Sequence, residues 1–380
     1  MTRSCELGGM TPTDRAEILV NPSREHGAAS QEREAGAVLA FHRRLPGYEP
    51  TALVDAPSLA SGLGLGRLHV KNETRRLGLP SFKILGASWA TYCLLVDRLG
   101  REPEWRDLDE LRAELRGLGG FTLAAATDGN HGRAVARVAR LLGYRAHILV
   151  PRNTVPARIE AIAGEGAQTT VVDGTYDDAV AVSASLAADD VLVISDTSWP
   201  GYVDTPAHVI EGYATIFTEV DQQLGAAAPD VVVVQMGVGA LAAAVVAHYA
   251  NVATVVVVEP RSAACGLRSA EAGEPVVVPG PHDSIMAGLN CGTVSVVAWP
   301  TVARGVDIFV AVDDGMAETA MRDLATVGLT AGETGGAGLA GLRALVDAGV
   351  VDPRGRRVLV LCTEGATDPS AFRRIVGQAP

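Results

Sequence analysis

Short runs of β-branched and aliphatic residues recur from residue 67 to the end of the chain: LHV at 68–70, FTLAAAT at 121–127, AHILV at 146–150, TTVV at 169–172, VLVIS at 191–195, VVVVQ at 231–235, TVVVVE at 254–259, IFVAV at 308–312 and VLVLCT at 358–363. They are apolar throughout instead of alternating. A strand needs that composition when helices cover both of its faces, and the segments between the runs carry helical patterns. The chain is therefore expected to fold as α/β with a mainly parallel sheet. With 380 residues, 48% of them hydrophobic, and two blocks of such units, two lobes flanking a cleft are expected in place of one sheet.

The most apolar region, 231–258, is broken by Gln235, Gly237, Gly239, His248, Tyr249 and Asn251, so it reads as strand, turn, helix and strand and not as a membrane span. Residues 1–35 are polar and charged and lack the apolar stretch of a signal peptide; they are expected to form a loose or partly helical arm without chemistry. The stretch 101–120, with RDLDELRAELRG inside it, reads as a charged, solvated helix on the surface. A formal net charge of -12 argues against nucleic acid and anionic membranes as partners and leaves small molecules. Cys5, Cys93, Cys265, Cys291 and Cys362 are scattered, with no CxxC and no paired histidine spacing. The expectation is a reducing cytoplasm and no structural metal.

Three stretches carry chemistry. In SFKILGAS, residues 81–88, Lys83 stands among aromatic and aliphatic neighbours at the opening of an apolar helix. A partly desolvated lysine loses its proton more easily, and a neutral amine is what attacks an aldehyde, so Lys83 is a candidate Schiff-base lysine. A lysine that snorkels to water from a helix start accounts for the octapeptide equally well. In ATDGNHGRAVA, residues 126–136, a strand passes into a helix through Thr127, Asp128 and Asn130, a suitable cradle for a carboxylate or cofactor at the carboxyl edge of a sheet. Helix capping explains one of those three residues; His131 is given no role.

The third stretch is QMGVGALA, residues 235–242, where glycines at a strand-to-helix turn let backbone amides approach a phosphate. Gly237, Gly239 and Ala242 also fit the dinucleotide fingerprint, with Glu259 placed about twenty residues on where a ribose-binding acid belongs. Against that reading, the unit comes late in the chain and nothing downstream looks like a hydride-transfer pair.

Taken in order, these stretches and VLVLCTEGATD (358–368) resemble the fold-type II, or tryptophan synthase β-like, family of pyridoxal-phosphate enzymes. Within it the chain is most similar to the diaminopropionate ammonia-lyases, through RLGLPSFK (76–83), SDTSWPGY (195–202), EGYATI (211–216), VVEP (257–260), IMAGLNCG (285–292) and GETGGAGL (332–339). The similarity runs from about Phe41 to the C-terminus. It implies a two-lobed open parallel-sheet architecture, with an arm at 1–35, a large cofactor-binding domain at 36–90 and 205–380, and a small mobile domain at 91–204. It also implies a homodimer.

For the site, the resemblance implies that Lys83 holds pyridoxal 5'-phosphate and moves the Cα proton, that Phe82 packs near the ring and that Asn130 contacts the ring's 3-oxygen. It assigns the phosphate to the amides of Gly237, Val238, Gly239, Ala240 and Leu241, and the pyridine nitrogen to a neutral partner, Cys362 or Thr363. Asp128 and Asp196 take positions associated with proton transfer at Cα and at the β-amine; a strand-end cap is the plain alternative for Asp196. The expected reaction is α,β-elimination of 2,3-diaminopropionate to pyruvate and ammonia. The alternatives are a serine or threonine dehydratase-like or β-substituted alanine synthase activity, and a catalytically silent cofactor-binding protein, against which Lys83 and the two aspartates argue. Thr293 stands where those lyases have an acidic residue, GETGG replaces GESGA, and TEGATD replaces TEGDTD; these departures are expected near the substrate side of the cleft.

Overall fold

The computed structural model describes residues 16–25, 35–127 and 129–380. Among them lie eleven strands: β1 (Glu17–Val20), β2 (Leu53–Asp55), β3 (Arg67–Asn72), β4 (Thr122–Ala126), β5 (Arg145–Pro151), β6 (Gln168–Val172), β7 (Val191–Val193), β8 (Val231–Gln235), β9 (Thr254–Pro260), β10 (Ile308–Val312) and β11 (Arg357–Cys362). One sheet has the order β1-β10-β9-β8-β11-β3-β2 and the other β6-β5-β4-β7. Within the first, β10, β9, β8, β11 and β3 run parallel, and the second is parallel throughout. Every residue of β8 and β10 is buried, as expected of strands covered on both faces.

Several elements differ from the sequence expectation. The two antiparallel edge strands, β1 and β2, are too short and too polar at their ends to stand out. Glu17–Val20, expected to belong to a loose arm, pairs with β10 from Glu17↔Ala311 to Val20↔Ile308. Residues 1–15 and 26–34 of the arm lie outside the described residues. The TTVV run forms β6, but it is an edge strand with a largely exposed face, and Val171 is 52% exposed. The charged stretch 101–120 folds only over Leu108–Leu115 as an α-helix, and Leu108, Leu111 and Leu115 bury one side of it. Among the described residues no helix is long and apolar enough to cross a membrane.

The helix Lys83–Leu99 crosses Asp204–Gly212 with little space to spare. A Cβ on Gly86 would stand 2.7 Å from the Tyr213 side chain, and one on Gly212 would stand 2.6 Å from the Leu85 carbonyl oxygen. The segment that leads into Lys83 is held by charges. Lys71 Nζ lies 2.7 Å from Glu219 Oε2, and Arg76 reaches Glu219 and Glu73, each at 2.6 Å, with all four side chains buried. Thr51 adds a hydroxyl to Glu73 at 2.6 Å and its carbonyl to Lys71 at 2.9 Å, so every charge is partnered.

Burial alone would raise the Glu219 carboxyl, but Arg76 and then Lys71 bring it down from 4.5 to about 2. A carboxylate whose folded value is depressed stabilises the fold above its unfolded value and loses that contribution as the pH falls through the folded one. Glu219→Gln should therefore unfold at markedly lower temperature at neutral pH, by about 3–5 kcal/mol for breaking a buried pair. The gap to the parent should shrink as the pH drops from about 4.5 toward about 2. Thermal melts across that window check it; a constant gap would show that Glu219 does not carry the effect.

Candidate active site

The carboxyl ends of β4 and β7 in one sheet and of β8 and β11 in the other converge on a cavity of about 290 Å³. This is where open parallel sheets place their ligands. Lys83, the first residue of its helix, sends Nζ to Asp196 Oδ2 at 2.6 Å, and the ammonium stands 5.4 Å from the centroid of the Phe82 ring. Asp196, a short step beyond β7, is 5% exposed and receives the Tyr176 hydroxyl on Oδ1 at 3.3 Å. Burial alone would raise this carboxyl. The Lys83 ammonium, with His131 and Tyr176 behind it, overrides burial and holds the group well below the usual carboxylate range. Asp196 is thus an ionised acid aimed at the lysine amine, and not a strand-end cap.

The anion cradle is equally explicit. After Gln235 the chain turns and enters the helix Ala240–Tyr249 through Gly239, at φ +104°, with Gly237, Val238, Gly239, Ala240 and Leu241 all on the cavity wall. A Cβ on Gly237 would meet Cys291 Sγ and the Gly288 carbonyl, each at 3.1 Å. The turn is fixed from behind by the Ser295 amide, which donates to the Val238 carbonyl at 2.8 Å. The first amides of this helix have no intrahelical acceptors, and they face a space that suits a phosphate.

Asn130 opens the helix Asn130–Leu142 on the opposite wall and donates through Nδ2 to Glu364. Thr127 is the residue that serves local structure, its Oγ1 accepting the Gly129 amide at 2.9 Å. Asp128 lies outside the described residues. Of the two candidates on β11 and just beyond it, only Thr363 reaches the cavity, and its Oγ1 accepts from Gln235 Nε2 at 2.6 Å. The Cys362 side chain instead joins the apolar core, where burial pushes its thiol up. Alternation along the strand puts these neighbours on opposite sides.

Glu259, the acid of the dinucleotide reading, does not face the cavity. It is fully buried and accepts the amides of Gly266 at 2.7 Å and Leu267 at 2.8 Å, capping the helix Cys265–Ala272. Burial pushes it up to about 7 against those bonds. Of the departures noted in the sequence, Thr334 lines the cavity, whereas Thr293 does not and Ala366 packs toward Met321, Phe372 and Ile375.

Sequence reasoning passed over four cavity residues. His131 donates Nε2–H to the Ile194 carbonyl at 2.8 Å and turns Nδ1 toward Asp196 at 3.9 Å. Tyr176 sits inside the Thr175–Asp178 capping box as the first residue of its helix, a readable helix start with no evident chemistry. Glu364 stood inside the quoted TEGATD motif without a role, and Gln235 looked like a mere strand end.

A lysine amine against an aromatic ring, a phosphate-sized amide cradle and a hydroxyl at the far wall fit a flat, phosphorylated aromatic aldehyde. Fold and site together define an enzyme class that carries such a cofactor on a lysine at the mouth of a parallel sheet. Residues 44–364 match the family described as "Pyridoxal-phosphate dependent enzyme", and the chain belongs to that family. It is 34% identical over 369 residues to the diaminopropionate ammonia-lyase of Salmonella typhimurium, covering 89% of this chain and 91% of the relative. The crystal structure of the Escherichia coli diaminopropionate ammonia-lyase with D-serine superposes with a TM-score of 0.87 at 31% identity, covering 95% of this chain and 97% of that one. The same enzyme in complex with an aminoacrylate-PLP azomethine reaction intermediate gives 0.85 with the same identity and coverage.

The cradle yields a prediction. At φ +104° a side chain at Gly239 is strained, and a Cβ would also stand 3.3 Å from Ala298 Cβ and Met236 Cε. A left-handed non-glycine residue costs roughly 1–2 kcal/mol. Gly239→Ala should therefore bind pyridoxal phosphate about tenfold more weakly, at about 1.4 kcal/mol per decade, as read by titrating the visible absorbance. Unchanged affinity would remove this turn from the cradle.

Proposed function

We propose that the chain is a lyase that eliminates ammonia from 2,3-diaminopropionate, which with one water gives pyruvate and two molecules of ammonia. The observation that carries the reading is the 2.6 Å contact between Lys83 Nζ and an ionised Asp196 in the cavity. Similarity to diaminopropionate ammonia-lyases over most of the chain supports it. When bound, pyridoxal phosphate supplies a sink for the electron pair left on Cα. The residues do the rest. Lys83 takes the proton from Cα. Asp196, gripped by Lys83 and Tyr176, offers a fixed negative charge to the substrate's second ammonium and keeps that nitrogen protonated, which an amine requires to leave. Asp128 is the second proton carrier by its place in the sequence, opposite in role to Lys83 at Cα. Phe82 and Asn130 would hold the ring, residues 237–241 the phosphate and Thr363 the ring nitrogen.

The experiment is turnover of both enantiomers of 2,3-diaminopropionate, with serine and threonine alongside, followed as keto acid and ammonia. The parent protein should be yellow, and borohydride should fix the cofactor to Lys83, a link that Lys83→Ala loses. Asp196→Asn and Asp128→Asn should keep cofactor loading and lose turnover by roughly a hundredfold or more, the scale for removing a positioned acid or base. Wild-type rates in both aspartate variants would favour a dehydratase-like chemistry in which Lys83 and the cofactor phosphate handle the protons.

The same reading places the protein in the cytoplasm as a homodimer with a mobile lobe at 91–204. The free thiols of Cys93, Cys265, Cys291 and Cys362 support a reducing compartment. Sedimentation at micromolar concentration should give twice the 39.4 kDa chain mass. A monomer would contradict the dimer.

A further inference from the structure

Gln235 is the last residue of β8, is 3% exposed, and lies on the cavity wall beside β11, which ends at Cys362 just before Thr363. Its Nε2 stands 2.9 Å from the Thr334 carbonyl oxygen and 2.6 Å from Thr363 Oγ1. The amide's orientation is forced: a backbone carbonyl only accepts, so the NH₂ end must face Thr334. Both amide hydrogens are thereby used, one on Thr334 and one on Thr363.

Two further observations mark the arrangement as built. Gln235 Oε1 has no hydrogen-bond partner among the described residues, so the amide forgoes an acceptor bond to place both hydrogens. On the facing helix Glu333–Asp347, Gly338 makes room for it, since a Cβ there would stand 3.3 Å from Oε1 and 3.1 Å from Val360 Cγ1.

Because Thr363 Oγ1 accepts from Gln235, the hydroxyl keeps one hydrogen to give. No acceptor for it is present among the described residues, and the hydroxyl faces the cavity. If Thr363 meets the cofactor's ring nitrogen, as the functional reading above has it, an unprotonated nitrogen accepts that hydrogen. A protonated nitrogen would turn the hydrogen away from any partner and leave a buried donor unmade.

We propose that Gln235 is a positioning residue that fixes the Thr363 hydroxyl as a donor into the cavity and thereby holds the ring nitrogen of bound pyridoxal phosphate unprotonated. The sink on which the elimination draws is then set by a side chain that need not touch the cofactor.

The test is nitrogen-15 NMR of the protein loaded with pyridoxal phosphate labelled at the ring nitrogen. It uses no substrate, so it is independent of which amino acid is consumed. The parent resonance should lie at the position of an unprotonated pyridine. Gln235→Glu replaces the donor by a group that accepts from Thr363, which turns a lone pair toward the ring; the resonance should move upfield to the pyridinium position. Gln235→Met removes the donor without adding an acceptor and should move it in the same direction, which keeps the test open if the glutamate variant does not load. Thr363→Ala supplies the control. A resonance unmoved by Thr363→Ala removes the premise that this hydroxyl meets the ring. One that moves with Thr363→Ala but not with either Gln235 variant removes the role of Gln235 alone, and a parent resonance already at the pyridinium position overturns the proposal outright.

Discussion

The ion pair of Lys83 and Asp196 is the contact on which the site's geometry turns. Lys83 opens a helix packed against Asp204–Gly212 and Asn130–Leu142, and Asp196 lies just beyond β7 of the smaller sheet. A pair this shielded contributes little net stability, since desolvating both charges consumes most of what their attraction returns. Its consequence lies in protonation. Without the ammonium, burial would push the carboxyl up; with it, the carboxyl stays ionised on the wall of the cleft. Any group that engages the lysine amine changes the acid beside it, so a cofactor carried on Lys83, as proposed above, would be linked to the acid–base state of Asp196 through one 2.6 Å contact.

That contact demands a rigid approach to Lys83, and the chain supplies it with charges. Surface pairs such as Arg106–Glu110, on an exposed arginine, contribute little because water screens them. The cluster of Lys71, Glu73, Arg76 and Glu219 is different because each member is buried and each is paired. Removing one leaves an uncompensated charge in the core, so the cluster tolerates only one arrangement. It joins β3 to the helix Ala214–Leu224 and fixes where residues 77–82 enter the cavity. The close crossing at Gly86 and Gly212 then sets the direction in which the Lys83 helix leaves.

Much of this was legible in the chain and the remainder was not, for physical reasons. Fully apolar runs announce strands covered on both faces, so the parallel core of both sheets could be read. The edge strands Glu17–Val20 and Leu53–Asp55 could not, because three or four residues against a single neighbour leave no periodic trace. In the site, Lys83 and the glycine turn stood out because their composition conflicts with their setting, a cation in an apolar helix and glycines at a helix start. Tyr176, His131 and Gln235 carry no such conflict; tyrosine, histidine and glutamine are ordinary at strand and helix ends. Their importance arises only when folding sets them against Asp196 or Thr363. Strand alternation likewise decides between Cys362 and Thr363, but only once β11 is seen to place one side chain in the core and the next on the cavity.

The departures from the ammonia-lyase pattern can be weighed by position. Ala366 packs toward apolar side chains, and neither it nor Thr293 lines the cavity. Thr334 is on the wall, where threonine in place of serine retains the hydroxyl. That hydroxyl accepts the Gly288 amide at 3.2 Å, while the residue's amide reaches Glu364 Oε1 at 3.3 Å and its carbonyl receives Gln235. The exchange leaves the charge of the wall unchanged. None of these three positions belongs to the lysine–aspartate pair or to the turn at 237–241.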